Sequence, residues 1–473
     1  MNKVQMMVNL SLLTSCLMSC GSSDLDEVAD GGSLTSATSE EPQYRDEDAH
    51  MSSDGQKIVF ASERLNSDGT DIGRKIYRYD VTQDASTQPQ RLTSVSSTYG
   101  EEIKAKVSPD GTMVAFISRD ESGVYHLYVQ NWDGTIVGEV SAPSNLIRYD
   151  DLEFASDSSG IAYVALVEQG DEEQYYSYYS KVTLASSFSF DQVVTGSNEW
   201  GAKLRTVSGT KYLVTQTLTD SFVTKFKTYS INDTSTPVLS LVQTSGDLSA
   251  VDGRFISVGE AGIYFRQPLT TARSKERLGD LAANEDGSSA RSYVKISEGL
   301  NSSPLLSSSS PADFATSTNF SGYEHTDVYG VNWLDSNLLA VFGGDYFICT
   351  NGSLYLTSII LYNFSTNVAL PLVVQNTDDV PSGIVTEACS KFVAGTAAVD
   401  QPIERTIVNV SIQGTVASGF KMLFESKDSG DREIYLLNFK LTSMSSGDDS
   451  VLTDENITDI SVVQVSKNKS TTD

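Results

Sequence analysis

Val107-Ser108-Pro109-Asp110-Gly111-Thr112-Met113-Val114-Ala115-Phe116-Ile117-Ser118-Arg119 is the stretch whose reading decides the fold. Asp-Gly tolerates positive φ, so Asp110-Gly111 makes a tight turn between two strands. The apolar, aromatic and β-branched run behind it has the composition of a strand buried between neighbouring sheets. After a short gap, His126-Leu127-Tyr128-Val129 supplies the next strand. An earlier copy reads Met51-Ser52-Ser53-Asp54-Gly55-Gln56-Lys57-Ile58-Val59-Phe60-Ala61-Ser62, then Ile76-Tyr77-Arg78-Tyr79-Asp80, then Arg91-Leu92-Thr93. Turn, buried strand, third strand and the start of a fourth thus form one unit.

Fainter copies place the same turn at Asp157, Ser208, Asp252-Gly253, Asp335 and Ser418. The first intervals suit four strands with their turns, whereas the last two are longer. Residues 273–325, with Ser307-Ser308-Ser309-Ser310-Pro311, read as a long surface insertion in the fifth unit. Runs at 391–394 and 406–410 are strand-like but fit no repeat. The tyrosines Tyr175, Tyr176, Tyr178 and Tyr179 read as a strand with rings on both faces. Repetition alone also admits another β architecture, such as paired sandwiches.

The Ser-Pro-Asp-Gly turn, the Phe-x-Ser strand end and the later Ile-Tyr resemble the WD40-like repeat of TolB and of prolyl oligopeptidase propellers. The match is good in the first two units and recognisable in the last, Glu433-Ile434-Tyr435-Leu436. The resemblance implies an all-β propeller of four-stranded antiparallel blades over residues 46–473, about seven in number, with six or eight also compatible. The repeat turns would then be Asp54-Gly55, Asp110-Gly111 and Asp252-Gly253.

The amino terminus carries an address. Lys3 precedes a short apolar stretch, far below the ~20 residues of a membrane-spanning helix and suited to a signal peptide over residues 1–19. Leu17-Met18-Ser19-Cys20 resembles the bacterial lipobox, which implies diacylglycerol and palmitate on Cys20. The overlapping Leu13-Thr14-Ser15-Cys16 is the weaker candidate, because more apolar chain follows it. Gly21 and Ser22 after the cysteine favour the outer membrane by family analogy. Multiple acyl chains anchor stably where one does not. Residues 20–45, rich in Ser, Gly and acid, read as a flexible tether. The expectation is a cell-envelope lipoprotein.

A formal charge of −29 disfavours nucleic acid, whose binding depends on Lys and Arg at phosphates. The remaining cysteines, Cys349 and Cys389, would sit in an oxidising compartment, where a disulfide or two thiols are both open. His50, His126 and His325 show no metal spacing. Asn66, Asp68 and Asp71 could offer calcium oxygen ligands, but a solvated hairpin loop explains them equally, and no cofactor is expected. No Gly-x-Ser-x-Gly elbow occurs. The expected function is a non-enzymatic propeller acting as a protein-interaction or scaffold module, with an envelope protein or extracellular ligand as its partner. A glycan or peptide binder and a polysaccharide lyase or hydrolase are the alternatives. A close pair of carboxylates at the channel mouth, one with a raised pKa, would favour the enzyme, aromatic and acidic lining the glycan or peptide binder, and a featureless mouth with an exposed apolar patch the protein-binding propeller.

Overall fold

The computed structural model describes residues 46–63, 73–83, 88–92, 99–135, 137–184, 187–218, 223–233, 236–244, 248–249, 252–259, 262–268, 291–296, 327–334, 338–349, 352–363, 368–373, 407–415, 417–426, 433–441 and 457–466. The lipidation candidate Cys20, the tether, the Asn66–Asp71 loop, Cys389, the 391–394 run and most of 273–325 lie outside them.

All regular elements among these residues are strands, and each sheet is an antiparallel meander. The first sheet holds β1 (Asp46–Met51), β2 (Lys57–Ser62), β3 (Lys75–Asp80) and β4 (Gln90–Arg91). The second holds β5 (Tyr99–Val107), β6 (Met113–Asp120), β7 (Tyr125–Asn131) and β8 (Val137–Glu139). The third holds β9 (Leu146–Phe154), β10 (Gly160–Gln169), β11 (Glu172–Leu184) and β12 (Phe188–Val194). In the fourth, β13 (Glu199–Val207), β14 (Thr210–Leu218), β15 (Val223–Asn232) and β16 (Val238–Thr244) are joined by the short β17 (Leu248–Ser249), which also pairs with β15. The fifth has three described strands, β18 (Asp252–Gly259), β19 (Gly262–Pro268) and β20 (Arg291–Ile296). The sixth holds β21 (Asp327–Trp333), β22 (Leu338–Cys349), β23 (Gly352–Asn363) and β24 (Val368–Val373). The last holds β25 (Ile407–Thr415), β26 (Gly419–Ser426), β27 (Glu433–Leu441) and β28 (Ile457–Gln464).

Each first strand touches the first strand of the next sheet, from β1 through β25, and β25 returns to β1. The sheets therefore stand in a closed ring with their first strands around the axis. This is a β-propeller of four-stranded antiparallel blades. The plain four-strand order, expected in about seven blades, holds in five sheets; the fourth has an extra strand and the fifth has three described strands.

Apolar layers between sheets hold the ring together. Val59, Ala61 and Ile76 of the first sheet meet Val107, Val114 and Phe116 of the second, all buried. Ala115, Ile117 and Leu127 then meet Tyr149, Leu152 and Tyr163 of the third. The seam between the ends of the chain is built alike: Met51, Ile58 and Phe60 pack on Leu423, Ile434 and Leu436. No strand crosses this seam among the described residues, so side chains and a few hydrogen bonds close it. Glu425 Oε1 accepts from the Asp48 backbone N–H at 2.8 Å, and Lys421 Nζ donates to the Asp54 carbonyl at 2.5 Å.

The Asp-Gly turns are as their chemistry requires. In the second blade Ser108 Oγ donates to Asp110 Oδ1 at 2.6 Å, which also accepts from the Thr112 N–H at 3.0 Å. Ser52 and Asp54 repeat the pattern at 2.5 Å. Gly55 and Gly111 have φ of 63° and 71°, and Ser158 takes the equivalent place in the third blade at φ 60°.

Two expectations need correction. Asp252 and Gly253 lie at the start of strand β18, not in a turn. The hairpin of that sheet falls after Gly259, which pairs with Gly262. Two glycines flanking a two-residue connection suit a tight reversal better than a lone Asp-Gly followed by Phe255-Ile256. The expected insertion at 273–325 also contains β20, which pairs with β19 from Ile263↔Ile296 to Pro268↔Arg291 and so belongs to the sheet. Residues 407–410 of the unassigned run prove to be the beginning of β25, the innermost strand of the last blade.

Candidate functional site on the propeller axis

In every sheet the pairing of the first strand with the second contains a register shift. Bulges re-aim side chains and increase twist. Here they recur where first strands crowd the axis. Asp48, Lys104 and Gly201 occupy these bulges with φ of 57°, 49° and 69°. Two residues further along stand His50, Lys106 and Lys203, and Glu153 holds the corresponding place in β9.

These side chains form one electrostatic cluster. Lys203 Nζ lies 2.8 Å from Asp151 Oδ2 and 3.6 Å from Glu153 Oε2. Burial opposes the charge on Lys203, but the two carboxylates outweigh it and raise its pKa. Burial likewise works against ionisation of Asp151, and Lys203 outweighs it, holding that carboxyl low. At Glu153 burial prevails over Lys203, aided by the Asp151 charge, and the pKa is raised. Two neighbouring carboxylates are thus pushed in opposite directions.

His50 is fixed differently. Its Nδ1 accepts from the Val107 N–H at 3.2 Å, across the boundary between the first two blades. That bond assigns the proton of the neutral ring to Nε2. Burial, then the Lys106 and Lys203 charges, lowers its pKa well below the usual histidine value, so the ring is neutral at physiological pH. Burial also lowers the Lys106 pKa, against the pull of Asp151, Glu153 and Asp48. Lys106 differs from Lys203 in one respect: among the described residues it has no carboxylate within ion-pair distance. Lys104 is tied to the Asp150 carbonyl.

Sequence reasoning named none of these residues as a site except His50, and His50 only as one of three scattered histidines. The available signal was the position two residues before the serine of each Ser-x-Asp-Gly turn, held by His50 and Lys106. Elsewhere, His126 Nδ1 meets Glu139 at 2.7 Å and Nε2 lies 3.5 Å from Asp120, on the exposed side of the second blade. The tyrosine run is β11, with Tyr179 fully buried and Tyr178 stacked on Tyr163 at 5.0 Å. Cys349 ends β22, while its suggested partner Cys389 is outside the described residues. No group of three metal-ligating side chains gathers among the described residues.

The fold and axial cluster define a class, a β-propeller with a polar axis. No protein-family model matches the chain, and no curated protein matches it in sequence. Among solved structures it is similar to the β-propeller domain of the Trilobed protease from Pyrococcus furiosus, with TM-score 0.45 and 8% identity over 83% of this chain and 95% of that one. It is similar to the Pyrococcus horikoshii acylaminoacyl peptidase at TM-score 0.46 and 9% identity, over 83% of this chain and 51% of that one. It is also similar to an oligogalacturonate lyase in complex with manganese, at TM-score 0.41 and 13% identity over 82% and 86%. The chain spans about half the length of the Pyrococcus horikoshii peptidase.

Proposed function

We propose that this protein is a non-enzymatic binding propeller of the cell envelope whose axial cluster takes a carboxylate-bearing ligand, such as an acidic peptide or glycan. The observation that carries this reading is Lys106, an ammonium on the axis with no ion-pair partner among the described residues, beside the neutral His50. A ligand carboxylate would satisfy Lys106 and accept from His50 Nε2–H. Such charge-assisted hydrogen bonds contribute about 1.5–3 kcal/mol each. Titration calorimetry with triglutamate as the probe tests it. Lys106→Met should weaken binding at least ~10-fold, corresponding to about 1.4 kcal/mol. Equal binding by wild type and variant would sink the reading.

The split pKa values of Asp151 and Glu153 favour a second reading, a propeller enzyme acting on polysaccharide with Glu153 as its acid. The binding reading is preferred because both carboxylates already share the Lys203 ammonium. Release of reducing ends or unsaturated products from acidic polysaccharide, lost in Glu153→Gln, would reverse that preference.

We further propose seven blades, the fourth and fifth sheets being modified members of the ring. The propeller is held at the outer membrane through lipid on Cys20, with residues 20–45 as its tether. Cys20→Ala should abolish palmitate incorporation; continued labelling would move the anchor to Cys16 or remove it.

A further inference from the structure

A sheet edge presents unpaired N–H and C=O groups, and proteins blunt such edges with short strands, charges, prolines or bulges. The outer strands of this propeller show those devices one after another. β4 and β8 are two and three residues long. β12 carries Asp191 at its middle, and β20 carries Arg291 and Lys295. β24 contains Pro371. β28 carries Asp459 at φ 55°, beside a register shift.

β16 shares a register shift with β28 but lacks the other devices. It is seven residues long, Val238-Leu239-Ser240-Leu241-Val242-Gln243-Thr244, without charge or proline. The chain carries no charge anywhere from Thr234 to Gly246. Its inner edge pairs with β15 from Asn232↔Val238 to Tyr229↔Leu241, shifts register at Val242 and resumes at Thr228↔Gln243, and no described strand pairs with its outer edge. Val238, Leu241 and Val242 are 52%, 55% and 58% exposed. Val194, 46% exposed, ends the outer strand β12 of the adjoining blade, which touches β16. Of the large apolar side chains exposed to this degree among the described residues, only Val124 lies elsewhere.

We propose that β16 is a docking edge, where an extended segment of another protein adds as a further strand of the fourth blade. The geometry supplies backbone hydrogen bonds for affinity and apolar side chains for alternate residues of the incoming strand. Charge selects the occupant. A protein of net charge −29 attracts a segment flanked by Lys or Arg. A second copy would bring an equal negative charge within a Debye length of ~8 Å, so the partner is a basic-flanked strand of a different chain. This surface is on the outer rim, apart from the axial cluster, and does not depend on the ligand reading above.

The probe is a labelled Lys-Lys-Val-Thr-Val-Thr-Val-Lys-Lys peptide, with a control in which the central valine is proline. Fluorescence anisotropy should show binding of the first and at least ~10-fold weaker binding of the control, equivalent to about 1.4 kcal/mol. Hydrogen exchange should slow within residues 238–244 when peptide is present. Leu241→Lys and Leu241→Asp should both weaken binding, since each places a charge on the apolar edge. Tighter binding to Leu241→Asp would mean charge attraction alone and would overturn the proposal. So would unchanged exchange at 238–244. Sedimentation should find the free protein monomeric, and a dimer abolished by Leu241→Lys would assign the edge to self-association instead.

Discussion

The Gly and Ser residues of the turns separate two physical costs that local sequence alone merges. Gly170 has φ 70° with nothing near its missing Cβ, whereas Gly111 has φ 71° and a Cβ there would meet Lys57 Cγ at 3.0 Å. Gly170→Ala should therefore cost about 1–2 kcal/mol from backbone strain alone, and Gly111→Ala more. Urea unfolding of the two variants measures the difference; equal losses would show that Lys57 yields without penalty. That contact recurs at the seam, where Lys421 of the last blade lies over Gly55 of the first. The Asp-Gly pair was legible in the sequence because its φ requirement is local. The lysine from the preceding blade was not, because only packing brings it there.

Between strands, a different kind of residue matters. Lys211, on β14, joins Asp157 of the third blade at 2.8 Å and Asp233 after β15 at 2.6 Å. Burial opposes the ionisation of both carboxyls, but hydrogen bonds led by Lys211 outweigh it and depress both pKa values. A depressed folded-state pKa gives stability that is present above the unfolded Asp value, ~3.9, and lost as pH falls through the folded one. Lys211→Met should thus be less stable than wild type at neutral pH, with the gap closing as acid protonates Asp157 and Asp233. Urea midpoints across an acid titration check this, and a constant gap would refute it. β16 belongs to this scale too: its pattern was readable as a strand, but its standing as an edge without charge or proline shows only beside the other sheets.

For the molecule as a whole, the seam between the first and last blades is the critical joint. Leu436 and Leu127 are both fully buried, one in that seam and the other between the second and third blades. Either Leu→Ala change should cost about 2–5 kcal/mol. Only Leu436→Ala should speed hydrogen exchange in both β1–β4 and β25–β28, because among the described residues no exchanged strand supports the seam. Acceleration confined to one blade would indicate that the ring is held closed by something other than this apolar layer.

The amino-acid sequence by itself determined the repeating unit, its buried strands at 58–61 and 114–117, the turns at Asp54 and Asp110, and the expectation of a propeller. The turns and buried strands rest on φ preferences and on continuous apolar runs, which act between near neighbours in the chain, and the propeller expectation came from the resemblance of the repeat to TolB-like propellers. It misplaced the fifth turn at Asp252, where a degenerate unit offered an Asp-Gly inside a strand. Only the tertiary structure decided that His50, Lys106, Glu153 and Lys203, each about one repeat apart, share one axis. It also decided that β16 is an outer strand, uncharged and paired on one side only among the described residues. Both outcomes follow from ring closure, which sets residues from different blades side by side and leaves the outermost strands to face whatever lies outside.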